Sequence, residues 1–375
     1  MEYQYYEFQA IERPLTKAEQ DYVRSLSSRV RPTATRAVFT YSHGDFPGNP
    51  LSVLEKCFDA MLYMANFGSY QLAFRFSKSA VNVAALESYC VDHVIEISTT
   101  EKSLILNLEI HEEEGGGWIE ENNNWLSALL PLRQAILQGD YRVLYLAWLQ
   151  AAAVSDDLEE KAQEPTVPPN LQNLDAPLQS FIDWLEMDQD LIAVAAQASS
   201  TQEKSKEPLS DWVNSLSEPE KTQLLLEIIE GDSAIASDLR ARLRQKFAQD
   251  SDLTSEVSDE RRSFSQLREL ANRHRSERQA KEKAAAKAER RQYLESLKPK
   301  QAQIWETIHA LIARKQAKSY EQAIQHLVDL RDLAALEGDS ATFQTQIRQM
   351  QTTYSNRPGL LRRMRSAQLL SGNRL

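Results

Sequence analysis

The chain has 375 residues and a formal charge of −11 at pH 7, with 43 Lys and Arg against 54 Asp and Glu, long enough for two or three domains with real cores. Its 11 glycines are under half the roughly 7% of average usage, which excludes collagen, argues against propellers and turn-dense sandwiches, and favours helix. Its two cysteines, Cys57 and Cys90, build neither a disulfide framework nor a four-thiolate zinc site, so a reducing compartment is expected.

Residues 1–154 read as an α+β domain, a mixed sheet with helices. Tyr3, Tyr5 and Phe8 begin an alternating strand, and Thr16 with Glu19 is a capping-box signature ahead of Tyr22, Val23 and Leu26 at helical spacing. A second strand is predicted over Ala37–Tyr41. The loop Gly44–Pro50 is a clear break, after which Leu51, Leu54, Phe58, Met61, Leu62 and Ala65 predict one long helix. Tyr70, Leu72, Phe74 and Phe76 alternate as a third strand, and a short helix is predicted near Val83–Tyr89. His93–Ser98 and Ser103–Ile110 form a hairpin across 99–102. In its second arm Leu104, Leu106, Leu108 and Ile110 share one face and Asn107, Glu109 and His111 the other, the pattern of a sheet with one wet side. Helices over Trp125–Leu137 and Tyr141–Ala153 are expected to lie on that sheet.

An acidic, proline-bearing linker is expected over 155–170, with composition that buries little and stays mobile. Residues 171–258 form an acidic helical region, with helices over Leu178–Ala196, Asp211–Leu216, Pro219–Glu230 and Asp232–Phe247. Ser217 caps the third of these. A long basic helix follows over 259–297, rich in the best helix formers, and its central stretch has no Leu or Ile seam for a coiled coil. Residues 298–371 read as a C-terminal helical bundle. Ile304, Trp305, Ile308, Leu311 and Ile312 make one stripe, Ala323, Ile324, Leu327, Leu330 and Leu333 another, and Phe343, Ile347, Met350 and Tyr354 a third. Gly338 stands as a C-terminal cap, and Pro358 opens a last helix.

Charge is divided unevenly along the chain. Residues 1–150 hold 12 Lys and Arg against 19 Asp and Glu, residues 151–260 hold 8 against 24, and residues 261–375 hold 23 against 11. The overall acidity hides a basic third, which signals an interaction tail or attraction between segments.

Tyr320-Glu321-Gln322-Ala323, Leu330-Arg331-Asp332-Leu333-Ala334, Phe343 and Pro358-Gly359-Leu360-Leu361 resemble a helical tail carried by several bacterial proteins, some of which also bear a SWIM-type zinc finger. The opening Glu2–Ile11 is similar to the start of a bacterial family with no assigned function. The finger needs three Cys and one His, and this chain has two Cys in all, so the resemblance implies no zinc role.

Motifs for chemistry are sparse. Cys90 and His93 have a Cys-x-x-His spacing, and His43, Cys57 and His111 share their domain, whereas zinc wants three or four converging ligands. No Gly-x-Ser-x-Gly elbow and no Gly-Lys-Ser/Thr phosphate loop occurs, and Gly115-Gly116-Gly117 is flanked by acids that would repel phosphate. Glu109 and Glu112–Glu114 beside His111 read as a solvated acidic loop before a cation site. Ser42-His43-Gly44-Asp45-Phe46 is the most site-like loop, a polar pair in a tight turn. No cofactor and no catalytic or metal residue is assigned.

Nucleic-acid contacts are a candidate role for Arg261, Arg262, Arg268, Arg273, Arg275, Arg278, Lys281, Lys283, Lys287, Arg290 and Arg291. Such a surface neutralises phosphates without reading bases, since no aromatics interleave for stacking. The opening Met1–Phe8 lacks the basic patch and apolar stretch of a signal peptide. The richest apolar stretch, Val143–Val154, falls short of the ~20 residues of a bilayer span. These observations predict a cytoplasmic, non-enzymatic bacterial adaptor or scaffold that binds a protein partner through its helical regions, with no membrane. A nucleic-acid-associated accessory factor using 261–291 is the alternative, and a hydrolase or metal enzyme centred on His43, Asp45 and His111 is third.

Overall fold

The computed structural model describes residues 2–101, 103–111, 124–154, 162–202, 208–229 and 261–370, with four further positions between 239 and 247. It is α+β, in two compact units, Met1–His274 and Arg275–Leu375. The first unit is built on six strands: β1 (Gln4–Gln9), β2 (Arg36–Tyr41), β3 (Ala60–Ala65), β4 (Ser69–Ser77), β5 (Ile95–Thr99) and β6 (Ser103–His111). Their order is β2-β1-β3-β4-β6-β5, and every pairing is antiparallel.

Both faces of this sheet are covered. Helices α1 (Lys17–Leu26) and α2 (Pro50–Cys57) close one face over Phe8, Phe39, Phe46, Phe58 and Met61. The entry to α1 is fixed as its sequence signals: the Thr16 side chain accepts from the Glu19 backbone N–H, and the Glu19 carboxylate accepts from the Thr16 backbone N–H. A short helix, α3 (Val83–Glu87), precedes β5; the other face packs against α4 (Trp125–Leu137) and α5 (Arg142–Val154) over Leu62, Phe74, Leu106 and their neighbours. The face expected to be wet, that of Asn107, Glu109 and His111, is the one under α1 and α2, and it is not simply wet. Of the residues alternating with the leucine row of β6, Ile105 and Asn107 are buried, while His111 is exposed.

The helix expected from Leu51 to Ala65 is two elements. Helix α2 ends at Cys57, with Phe58 as its cap, and the chain turns at Asp59 into β3. The Asp59 carboxylate accepts from the backbone N–H groups of Ile11 (2.6 Å) and Glu12 (2.9 Å) and pairs with Arg75. Strand β3 lies in the sheet interior with both faces covered, so its residues are apolar without alternation and prolong the helix pattern.

Helix α5 is buried at every position from Arg142 to Ala152. The sheet, α6 (Ala176–Trp184), α7 (Gln189–Ala196) and the first turns of a long helix, α10, share its core, the last through Phe264, Leu267 and Ala271. Trp184 at the end of α6 also donates to Met64 of β3 at 2.9 Å. The single helix expected over Leu178–Ala196 is broken between α6 and α7. Glu186 adopts φ +46° there, and Asp188 caps α7.

The described part of the stretch expected as a mobile linker is built into this core. Glu164 is 3% exposed, and Pro165 and Pro168 are buried. Gln163 bridges Ser263, the Glu164 N–H donates to the Arg262 carbonyl, and the Phe264 N–H donates to the Ala162 carbonyl. Acidic composition misled because the decisive carboxylate is neutralised by an arginine far along the chain. Positions 155–161 lie outside the described residues, as do most of the helix expected over Asp232–Phe247 and the acidic loop at 112–117. Helices α8 (Leu209–Asn214) and α9 (Glu218–Ile229) complete the described first unit.

Helix α10 runs over Phe264–Leu297, 34 residues. In the second unit its last turns are followed by α11 (Gln301–Ala313), α12 (Ala317–Glu337), α13 (Ser340–Thr353) and α14 (Pro358–Ser366). The expected stripes meet in one core of Ile308, Ile312, Leu327, Ile347, Leu360 and Met364. Gly338 ends α12 at φ +76°, in the left-handed region that a β-carbon disfavours. Among the described residues no helix is long and apolar enough to cross a membrane.

Candidate functional site

Every residue from 276 to 289 of α10 is exposed. This run holds several of the basic residues singled out from the sequence, but those residues have different fates. Arg262 is a core clasp: its guanidinium donates to both Glu164 oxygens at 2.6 and 2.7 Å and to the carbonyls of Val194 and Ala195. The Tyr145 hydroxyl donates to the same carboxylate. Arg290 is likewise engaged, 2.8 Å from both Asp329 and Asp332. Arg273, Arg278 and Arg291 pair one turn away with Glu269, Glu282 and Glu295.

Arg268 and Arg275 also have polar or electrostatic partners. Lys281, Lys283 and Lys287 make no ion pair among the described residues, and Arg261 is exposed. At 100° per residue, Lys283 and Lys287 stack one above the other while Lys281 lies on a different side. The unpaired cations thus wrap around the helix and form no single stripe.

The structure does not bring His43, Asp45 and His111 to one centre. Asp45 accepts from Gln4 Nε2 on β1 at 3.0 Å. His111 on β6 contacts Ser69 Oγ at 3.0 Å and Glu109 at 3.3 Å. Strands β3 and β4 lie between β1 and β6, three inter-strand steps of ~4.8 Å, or about 14 Å across the sheet. No proton passes directly between groups that far apart.

Between them runs a polar row on the same face. The Tyr6 hydroxyl donates to Gln4 Oε1 at 2.9 Å, and Gln71 Nε2 donates to Asn107 Oδ1 at 2.8 Å. Burial raises the Tyr6 and Tyr63 phenols above their ordinary range, so both stay protonated donors at neutral pH. The row satisfies itself, and nothing in it is activated as a nucleophile.

Cys90 and His93 fare similarly. His93 is 96% exposed at its side chain, and its nearest carboxylate, Glu96, is 3.9 Å away. Burial pushes the Cys57 thiol up to about 11 and raises that of Cys90, which keeps both protonated near neutrality. Among the described residues no three His, Cys, Asp or Glu side chains converge as a metal site.

A surface that sequence reading missed lies on α9. Leu225, Leu226 and Ile229 are 59%, 52% and 77% exposed, within about 100° of the helix circumference. Val213 of α8 is 40% exposed. Outward apolar residues at i, i+1 and i+4 were the available signal; the acidic surroundings masked it. No family model, curated protein or solved structure matches the chain.

Proposed function

We propose that the chain is a non-enzymatic adaptor or scaffold that binds a protein partner through its helical regions. The observation that carries this reading is the apolar patch on α9. Single exposed apolar residues are ordinary, but three large ones side by side on one helix face leave apolar area in water that a partner would cover. The acidic residues Glu218 and Glu220 open the same helix and would form a polar rim. The same proposal sets the protein in a bacterial cytoplasm. The resemblance of its tail to those of bacterial proteins supports the source, and two unpaired cysteines suit a reducing compartment.

The test is a nuclease-treated pull-down from native lysate with the full chain and a Leu225→Glu, Ile229→Glu variant. Nuclease-resistant protein partners retained by the parent and lost by the variant are expected. Both positions are exposed, so the thermal midpoint should hardly move. Identical partner sets for the two proteins would overturn the assignment of this patch.

A further inference from the structure

The C-terminal unit carries a second concentration of positive charge that the long helix does not account for. Residues 275–375 hold 19 Lys and Arg against 10 Asp and Glu, a balance of +9. Two short stretches, 312–321 and 357–365, contribute seven of those cations and one acid, Glu321. They are far apart in sequence but meet in the fold. The Arg357 guanidinium donates to the Ile312 carbonyl at the end of α11. A β-carbon on Gly359 of α14 would lie 3.9 Å from the ring of Tyr320 in α12, and Arg363 of α14 reaches Glu321 of α12 at 3.2 Å. The α11–α12 turn and helix α14 therefore share one end of the bundle.

Two of the seven cations serve the fold. Arg357 covers the carbonyl end of α11 and sits 5.0 Å over the Tyr354 ring, and Arg363 is taken by Glu321 and the Gly359 carbonyl. The other five, Arg314, Lys315, Lys318, Arg362 and Arg365, are exposed and make no ion pair among the described residues. Leu360 and Met364 are fully buried, so helical spacing turns Arg362 and Arg365 to the outer side of α14. Arg273, Arg278 and Arg291 of the long helix, by contrast, each have a glutamate four residues away. Its Lys281, Lys283 and Lys287, unpaired among the described residues, wrap around the helix, so unneutralised charge gathers from two elements only at the bundle end.

We infer that this end of the C-terminal bundle binds the phosphate backbone of nucleic acid, without reading sequence. No large apolar side chain is exposed in either stretch, whereas a protein interface is built around an apolar centre. Phosphate contacts ask only for cations and hydrogen-bond donors. Helix α12 begins at this end without a side-chain cap, which leaves first-turn N–H groups as further donors. The inference is independent of the protein-binding patch on α9 and moves the nucleic-acid contacts away from 261–291.

The test uses the full chain and a fluorescein-labelled mixed-sequence DNA duplex, titrated at several salt concentrations from low ionic strength upward. One variant carries Arg314→Gln, Lys318→Gln, Arg362→Gln and Arg365→Gln. A control removes the same number of charges from the long helix, through Lys281→Gln, Lys283→Gln, Lys287→Gln and Arg291→Gln. The bundle-end variant should lose roughly tenfold or more in affinity at low salt, with a log–log salt slope shallower by about 0.9 per lost phosphate contact. The helix control should bind within about threefold of the parent. Circular dichroism and the thermal midpoint check folding, and Arg362→Gln with Arg365→Gln alone should give about half the change in slope. An equal or larger loss in the helix control overturns the inference, as does absence of salt-dependent binding by the parent. Tighter binding of labelled poly-glutamate, with the same sensitivity to the bundle-end variant, overturns it in favour of an acidic protein.

Discussion

Charge is used in opposite ways by the two units. In the first, ionised groups are part of the core: Glu7, Asp59, Glu164 and Asp190 are 1–3% exposed, and Arg133 and Arg142 are 4% and 6% exposed. Arg142 spends its guanidinium on Asp140, Asp175 and the carbonyls of Asn170 and Asn173, which fixes the start of α5. In the second unit one carboxylate, Asp329, is comparably buried among the described residues, and most cations face water. A buried ion pair ties together segments distant in sequence. An exposed one within a single helix contributes little and leaves the charge available to a partner.

The largest expected effect follows from removing one half of a clasp. Glu164→Ala leaves Arg262 and the Tyr145 hydroxyl without their acceptor and should destabilise the first unit by about 3–5 kcal/mol. In urea unfolding the first unit's transition should move to lower denaturant while the second unit's stays in place. Replacing both partners, Glu164→Gln with Arg262→Met, should recover part of the loss.

Leu327→Ala is the counterpart in the second unit. Leu327 is fully buried in the bundle core, and its truncation should cost about 2–4 kcal/mol. Only the second transition should respond. If either substitution shifts both transitions by the same amount, the units unfold as one and the contrast between them fails.

A smaller effect tests a charge at the edge of the first core. Hydrogen bonds from Arg13, and then from the Thr16 backbone and hydroxyl, lower the Glu19 carboxyl to about 2. Because the folded value is depressed, its contribution is present above the unfolded value of ~4.3 and disappears as pH falls through about 2. Arg13 is half exposed and screened, so Glu19→Gln should cost only about 1 kcal/mol at pH 7. The difference between parent and variant thermal midpoints should narrow steadily toward pH 2, where the carboxyl is about half protonated; a gap that does not narrow would locate the effect outside ionisation.

The sequence made visible those elements whose signals are local. The capping box at Thr16, the alternation in β4 and β6, the left-handed stop at Gly338 and the three stripes of the bundle all arise within a few residues. It hid the elements whose signals are distant. Ala60–Ala65 is apolar throughout because neighbouring strands and two helical layers cover it, and only Asp59, whose partners lie on other elements, marks the break. The basic residues were countable but their partners were not. The carboxylate that occupies Arg262 lies 98 residues away, and that of Arg290 lies 42 away. For the same reason the charged end of the bundle, assembled from 312–321 and 357–365, did not stand out as one surface.

The short antiparallel bridge of 162–164 with 262–264 also bears on the order of events during synthesis. Phe264, Leu267 and Ala271 complete a core whose other members come from the sheet and from α4 to α7. A ribosome has therefore made more than two-thirds of the chain before the first unit can close. Until then the apolar flank of α5 around Trp148, later faced by Phe264, stays uncovered, and a nascent chain stalled before residue 264 would present it to chaperones.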